Sequence, residues 1–143
     1  MPSSDFLILD THVWLWLLLG DARIKKASVS SKIIKAGSNA SLGVSSISIR
    51  EIAMLESKGR ISLSMDITAW IDKALGMPGL QMLPLSPAIS INSTRLPGAF
   101  HGDPADRIIV ATARDRNGTL VTADRQIIEY ARTTGNVNLL EIV

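Results

Sequence analysis

Short apolar runs that alternate with longer helix-period stretches predict an α/β fold, a three-layer sandwich with a central parallel sheet. Three observations carry that expectation. Phe6-Leu7-Ile8-Leu9 is apolar without polar alternation, as in a strand covered on both faces. The stretches between apolar runs are long enough for crossover helices, and strands separated by helices pair in parallel through right-handed connections. Gly20, Gly37, Gly59, Gly118 and Gly135 fall near the ends of the helical stretches, where a residue free to take positive φ is useful.

The first strand is expected over 6–9 and a helix over 12–19. That helix, with Trp14 and Trp16, is too apolar all round for a surface helix, so part of it must meet another layer. A second helix is expected over 24–36, a weaker strand over 42–47, and a helix over 49–58 that ends at Gly59. Helices follow over 66–76 and 87–95, then a Pro/Gly-rich loop over 96–104. Asp103-Pro104 opens a helix over 104–116, because Asp is a favoured N-cap and Pro a favoured first helical residue. Leu120-Val121 marks a third strand, 125–133 a last helix and 139–143 a fourth strand. With no repeat, low-complexity segment or linker, one domain over 1–143 is expected.

The composition narrows the chemistry. At 46% hydrophobic and 20% charged, the 143 residues describe a globular chain, not a disordered one. The absence of cysteine excludes disulfides, thiolate zinc sites and cysteine nucleophiles, and it suits a reducing cytosol, so a cytoplasmic location is expected. A formal charge of +2 permits nucleic-acid binding only if the positive charge is gathered on one face. The apolar N-terminal stretch lacks a basic leading segment and is interrupted by Asp10 and His12, so it reads as a core strand and helix and not as a signal peptide or membrane span.

With only 13 acidic residues, their placement is informative. Asp10 ends the first buried strand and Asp124 follows the Leu120-Val121 strand, and ligands of open parallel sheets bind at the carboxyl ends of strands. Glu51 and Asp106 fall in the first turns of helices. Each has a structural alternative. Ser48 with Glu51 has capping-box spacing, Asp103 is a natural N-cap, Asp106 favours the helix dipole, and Asp124 can cap its own helix. Asp10 resists that explanation best, since an acid at the end of an apolar strand is costly to bury unpaired. Thr11 and His12 could satisfy it; a cation would do so more fully. Converging carboxylates repel one another, and an oxygen-preferring ion such as Mg²⁺ relieves that repulsion.

These residues, together with others in the same order, resemble the PIN-domain ribonucleases, in particular the VapC-type toxins of bacterial toxin–antitoxin pairs. The matching segments are Leu7-Ile8-Leu9-Asp10-Thr11-His12, Ser48-Ile49-Arg50-Glu51-Ile52-Ala53, Lys58-Gly59-Arg60-Ile61 and Leu83-Pro84-Leu85. They continue with His101-Gly102-Asp103-Pro104-Ala105-Asp106-Arg107-Ile108-Ile109-Val110-Ala111 and Leu120-Val121-Thr122-Ala123-Asp124. The resemblance implies that Asp10, Glu51, Asp106 and Asp124 are catalytic acids that hold Mg²⁺ or Mn²⁺, with Thr122 beside the site; Asp103, expected as an N-cap, is a further auxiliary candidate from its place in the same turn. It implies endonucleolytic cleavage of RNA that leaves a 5′ phosphate, a cognate antitoxin and a homodimer. Arg50 departs from the aromatic that relatives often carry before the glutamate, and Ala105 from a bulkier residue between the aspartates; neither replaces an acid. Arg50, Arg107 and Arg125 each adjoin one of the acids and are expected phosphate contacts, with solvated arginines or salt-bridge partners on the neighbouring turn as the alternative.

Other readings make different demands. A haloacid-dehalogenase-like phosphatase needs a second Asp two residues after the first, where this chain has His12. A receiver-type phospho-acceptor domain needs a lysine after a late strand, where Thr122 is followed by Ala123, Asp124 and Arg125. In a non-catalytic α/β interaction module the four acids would be caps only.

Overall fold

The computed structural model describes residues 6–25 and 28–142. Five strands, β1 (Leu7–Leu9), β2 (Leu42–Ser45), β3 (Leu80–Leu83), β4 (Thr119–Thr122) and β5 (Asn138–Glu141), form one sheet in the order β3-β2-β1-β4-β5. Every pairing is parallel, with Ile8 opposite Gly43 on one side and Leu120 on the other. The connections carry α1 (Thr11–Leu19), α2 (Ala22–Lys25), α3 (Val29–Ser38), α4 (Ser46–Ser57), α5 (Ile67–Leu75), α6 (Pro87–Ser93), α7 (Pro104–Asp115) and α8 (Arg125–Thr134).

The period-two geometry of the strands divides the core into two layers. Leu7, Leu9, Val44 and Val121 pack with Trp14, Ile33, Ile52 and Ile71 on one face. Ile8 and Leu120 pack with Ile89, Ile109, Ile127 and Tyr130 on the other. β1 is buried along its whole length, which explains its lack of polar alternation. Each fully buried Leu or Ile contributes about 1.5–3 kcal/mol relative to exposure. The expected three-layer sandwich is therefore the observed architecture. Among the described residues no helix is long and apolar enough to cross a membrane.

Three expectations need correction. The strand expected over 42–47 ends at Ser45, and the helix expected from 49 already opens at Ser46. The single helix over 24–36 is two in the described residues, α2 and α3; Lys26 and Ala27, between them, lie outside those residues, as does Val143 at the end of the expected fourth strand. β3 has no counterpart among the expected strands. It lies on the sheet edge with Gln81 and Met82 exposed, so it presents no continuous apolar run. Gly79 brings the chain into it at φ +75°, so close to α3 that a Cβ would stand 1.8 Å from the Gly37 carbonyl oxygen.

Parallel pairing sends the carboxyl ends of β1, β2 and β4 to one edge. α1 and α8 start there directly after Asp10 and Asp124, and α4 starts after Ser45. α7 packs against α4, and Asp103, Pro104 and Ala105 at its start line one cleft with Thr11 and Glu51, which puts its N-terminus at the same edge.

Candidate active site

Asp10 follows β1 as the N-cap of α1, and its Oδ1 accepts from the Thr11 amide at 2.8 Å. Its Oδ2 accepts from Thr122 Oγ1 at 2.6 Å, across the β1–β4 pairing. Asp10 is 5% exposed, a costly place for a carboxylate, and no cation pairs with it among the described residues. Burial pushes its pKa up, and Asp124 pushes it further; the Thr122 and Thr11 hydrogen bonds and nearby His12 pull it down.

Thr122 also accepts from the Asp124 amide at 3.0 Å, so one hydroxyl ties both acids to the end of β4. Asp124 is the N-cap of α8, with Oδ1 accepting from the Ile127 amide at 3.0 Å. Capping uses one carboxylate oxygen and leaves the other available.

Glu51 is placed differently from the capping-box expectation. α4 begins at Ser46, and Ser45 is its N-cap, accepting from the Ile47 amide. Ser48 is thus an interior helical residue, fully buried, and its Oγ lies 2.7 Å from Thr11 Oγ1. Thr11 Oγ1 donates to Glu51 Oε1 at 2.6 Å. A hydroxyl has one proton to give, so Ser48 is the donor to Thr11. Burial raises the Glu51 pKa, the Thr11 bond lowers it, Asp10 and Asp103 raise it, and His12 lowers it. Sequence reasoning did not select Thr11 or Ser48 as site residues. Their roles depend on contacts 37 and 40 residues apart along the chain, which no local pattern announces.

Asp103 is the N-cap of α7, with Oδ1 accepting from the Asp106 amide at 2.9 Å and Pro104 in the first turn. The Asp106 carboxylate itself meets no hydrogen-bond donor or cation among the described residues. Burial drives its pKa up to about 8, and Asp124, Asp103, Asp10 and Glu51 all push the same way. The structure thus brings all four expected acids, with Asp103, into one electrostatic neighbourhood. They are not closed into a tight cage: among the described residues no three His, Asp or Glu side chains are grouped so as to hold a metal ion as they stand. The donor set is all oxygen, and Mg²⁺ usually takes one or two carboxylates and keeps several waters. An open arrangement of this kind suits it.

The three arginines separate. Arg107 donates to the carbonyls of Ser93 at 2.8 Å and Phe100 at 2.7 Å, so its guanidinium braces the loop before α7. Arg125 is exposed and lines a hollow with Phe100 and His101. Arg50 is exposed and lines a cleft with Glu51 and Asp103.

Residues 7–133 match the PIN domain family. The chain is 32% identical over 121 residues to Ribonuclease VapC22 of Mycobacterium tuberculosis, covering 85% of this chain and 88% of that protein. Its fold is similar to that in VapBC2 from Rickettsia felis bound to a DNA fragment from their promoter, with a TM-score of 0.67 and 19% identity over 94% of this chain and 97% of that one. DNA-bound VapBC from Salmonella typhimurium gives a TM-score of 0.63 and 17% identity over 96% of this chain and 98% of that one. With the PIN domain match spanning most of the chain and a VapC relative this similar in sequence, the protein belongs to the PIN-domain family, among its VapC-type members.

Proposed function

We propose that this protein is a Mg²⁺- or Mn²⁺-dependent endoribonuclease that hydrolyses RNA phosphodiester bonds as the toxin of a toxin–antitoxin pair. The observation that carries the reading is Asp106, a half-buried carboxylate crowded by four other acids and met by no donor or cation among the described residues. Without metal such a carboxyl holds a proton well above its ordinary range, and a divalent cation would replace that proton and relieve the crowding. Family membership and the relative named a ribonuclease support RNA as the substrate, and the VapBC complexes support an antitoxin partner. A homodimer and a cytoplasmic location belong to the same reading.

Asp10, Glu51, Asp106 and Asp124 would hold the ion. Once bound, it neutralises charge on the scissile phosphate and makes a water more acidic. The chain supplies the positioning. Thr122 fixes Asp10, the Thr11–Ser48 pair fixes Glu51, and the caps on α7 and α8 fix the entry of Asp106 and Asp124. Asp10 and Asp124 cap helices just past strand ends, Asp106 lies in the first turn of α7 and Glu51 in the second turn of α4, so all four acids are carried on regular elements and not on loose loops.

The test uses total bacterial RNA and purified protein. Mn²⁺ should give new 5′-phosphate ends, and EDTA or Asp10→Asn should stop their appearance. Mn²⁺ should also raise the melting midpoint of the wild-type protein, since a ligand of the native state must do so. Full cleavage by folded Asp10→Asn protein, or in EDTA, overturns the reading.

A further inference from the structure

A cleft of about 400 Å³ is lined by two of the acids, Glu51 and Asp103, together with Thr11 and His12, and by the cations Arg50, Lys58 and Arg60 from α4 and the turn after it. Arg50, Met54 and Lys58 recur every four residues, so they lie on one stripe of the helix. At 1.5 Å per residue, Arg50 and Lys58 are about 12 Å apart along the axis. The turn that follows is fixed by the backbone. The Gly59 amide donates to the Glu56 carbonyl at 3.0 Å and the Arg60 amide to the Leu55 carbonyl at 2.9 Å, a Schellman closure. Gly59 holds φ +71° there, and nothing lies within 4 Å of where a Cβ would stand, so the glycine serves the turn and not a close approach. The closure folds the chain back over the end of α4, and both cations flanking Gly59 line the cleft.

These three cations are uncommitted. All are exposed, and the ion pairs among the described residues are Arg23–Asp21 and Arg132–Glu141. A chain of formal charge +2 that must bring a polyanion to five crowded carboxylates needs positive charge gathered beside them. We infer that this cleft is the track for the substrate strand, with Arg50, Lys58 and Arg60 holding the phosphates that flank the scissile bond on one side. The inference rests on the ribonuclease reading and extends it to the chemistry of substrate positioning. Met54, exposed between Arg50 and Lys58, presents an apolar face to a base. The occupant is single-stranded RNA, because phosphates spaced along a flexible strand can meet cations spread over one helix face.

The test compares wild type with Lys58→Ala/Arg60→Ala and with the charge-keeping Lys58→Arg/Arg60→Lys, using Mn²⁺-loaded protein and total bacterial RNA over a range of salt. Both side chains are exposed, so melting midpoints should match. The alanine variant should raise the apparent KM on the order of tenfold, with the loss falling on KM and not on kcat. The slope of log(kcat/KM) against log salt should become shallower by about 1.4, that is about 0.7 for each lost contact with a single strand. The charge-keeping variant should behave as wild type. If wild type cleaves and the alanine variant shows the same KM and salt slope, the inference is overturned and the ribonuclease reading stands. A wild-type protein that cleaves nothing overturns the ribonuclease reading and this inference with it.

Discussion

Thr122 Oγ1 gives its proton to Asp10 Oδ2 at 2.6 Å, a bond between the ends of two neighbouring parallel strands. The same oxygen accepts from the Asp124 amide at 3.0 Å, so the hydroxyl sets the spacing of two acids at once. Thr122→Val keeps the branched shape that the strand favours and removes both bonds. Partners that orient metal ligands typically matter by about 10–100-fold in metal affinity. The Mn²⁺ concentration needed for half-maximal cleavage should rise by about that factor. Thr122→Ser restores the hydroxyl and should restore the midpoint. An unchanged midpoint in the valine variant would make Thr122 a packing residue only.

The acid cluster should make metal-free stability depend on pH in an unusual direction. Asp106 titrates at about 8 in the folded chain, against an ordinary value of 3.8. Between those values the native state holds a proton that the unfolded chain has released, so stability increases as pH falls through 8 and the gain is complete below the unfolded value. Asp10 and Glu51 are shifted the same way and add to the trend. Asp21, held down at about 2 by its hydrogen bonds to Arg23, loses its contribution only in stronger acid. Urea melts in EDTA should therefore show higher stability at about pH 5 than at about pH 9. Asp106→Asn should flatten the slope. Stability that rises with pH over that window contradicts the crowding of these acids.

The strand-end acids were legible because the fold itself puts them at one edge. Asp10 closes an apolar run and Asp124 follows another, and parallel pairing does the rest. Asp103-Pro104 was legible as a cap because both residues act locally. The Ser48–Glu51 spacing misled for the same reason: it imitates a local motif, but α4 starts earlier, at Ser46, and Ser48 is turned into the core against Thr11. β3 was hidden by its place on the sheet edge, where half of its side chains face solvent and periodicity fades. Arg107 adjoins an acid in sequence, yet helical geometry turns it toward the Ser93 and Phe100 carbonyls. Lys58 and Arg60 stand far from any of the four acids but Glu51 in sequence, and they reach the site only through the length of α4.

Glu51 can be separated from a structural role by charge alone. Glu51→Gln keeps an oxygen that can accept from Thr11 Oγ1 and removes repulsion with Asp10 and Asp103. In EDTA the variant should melt no lower than wild type. Its cleavage at saturating Mn²⁺ should nevertheless be lost, because a neutral amide is a poorer partner for a divalent ion. Unchanged turnover would reduce Glu51 to an anchor for Thr11 and Ser48.

Asp103 and Asp106 open one helix and divide its work. Asp103 Oδ1 accepts from the Asp106 amide at 2.9 Å, which satisfies an amide that the helix itself leaves unpaired. Asp106 caps nothing, and its carboxylate feels the charge of the other acids. Asp103→Ser can still cap and should keep most of the cleavage. Asp103→Ala should lower stability by about 1 kcal/mol through loss of the cap, with activity falling only as far as α7 frays. Asp106→Asn should abolish cleavage while leaving the melting midpoint in EDTA close to wild type near pH 7, where the metal-free acid holds its proton, and higher at about pH 9, where the wild-type carboxylate is charged in a repulsive site. Activity and melting curves for the three variants at one Mn²⁺ concentration and in EDTA decide the matter. If Asp103→Ser is as inactive as Asp106→Asn while melting as wild type, then Asp103 acts as a metal ligand and the division between cap and ligand fails.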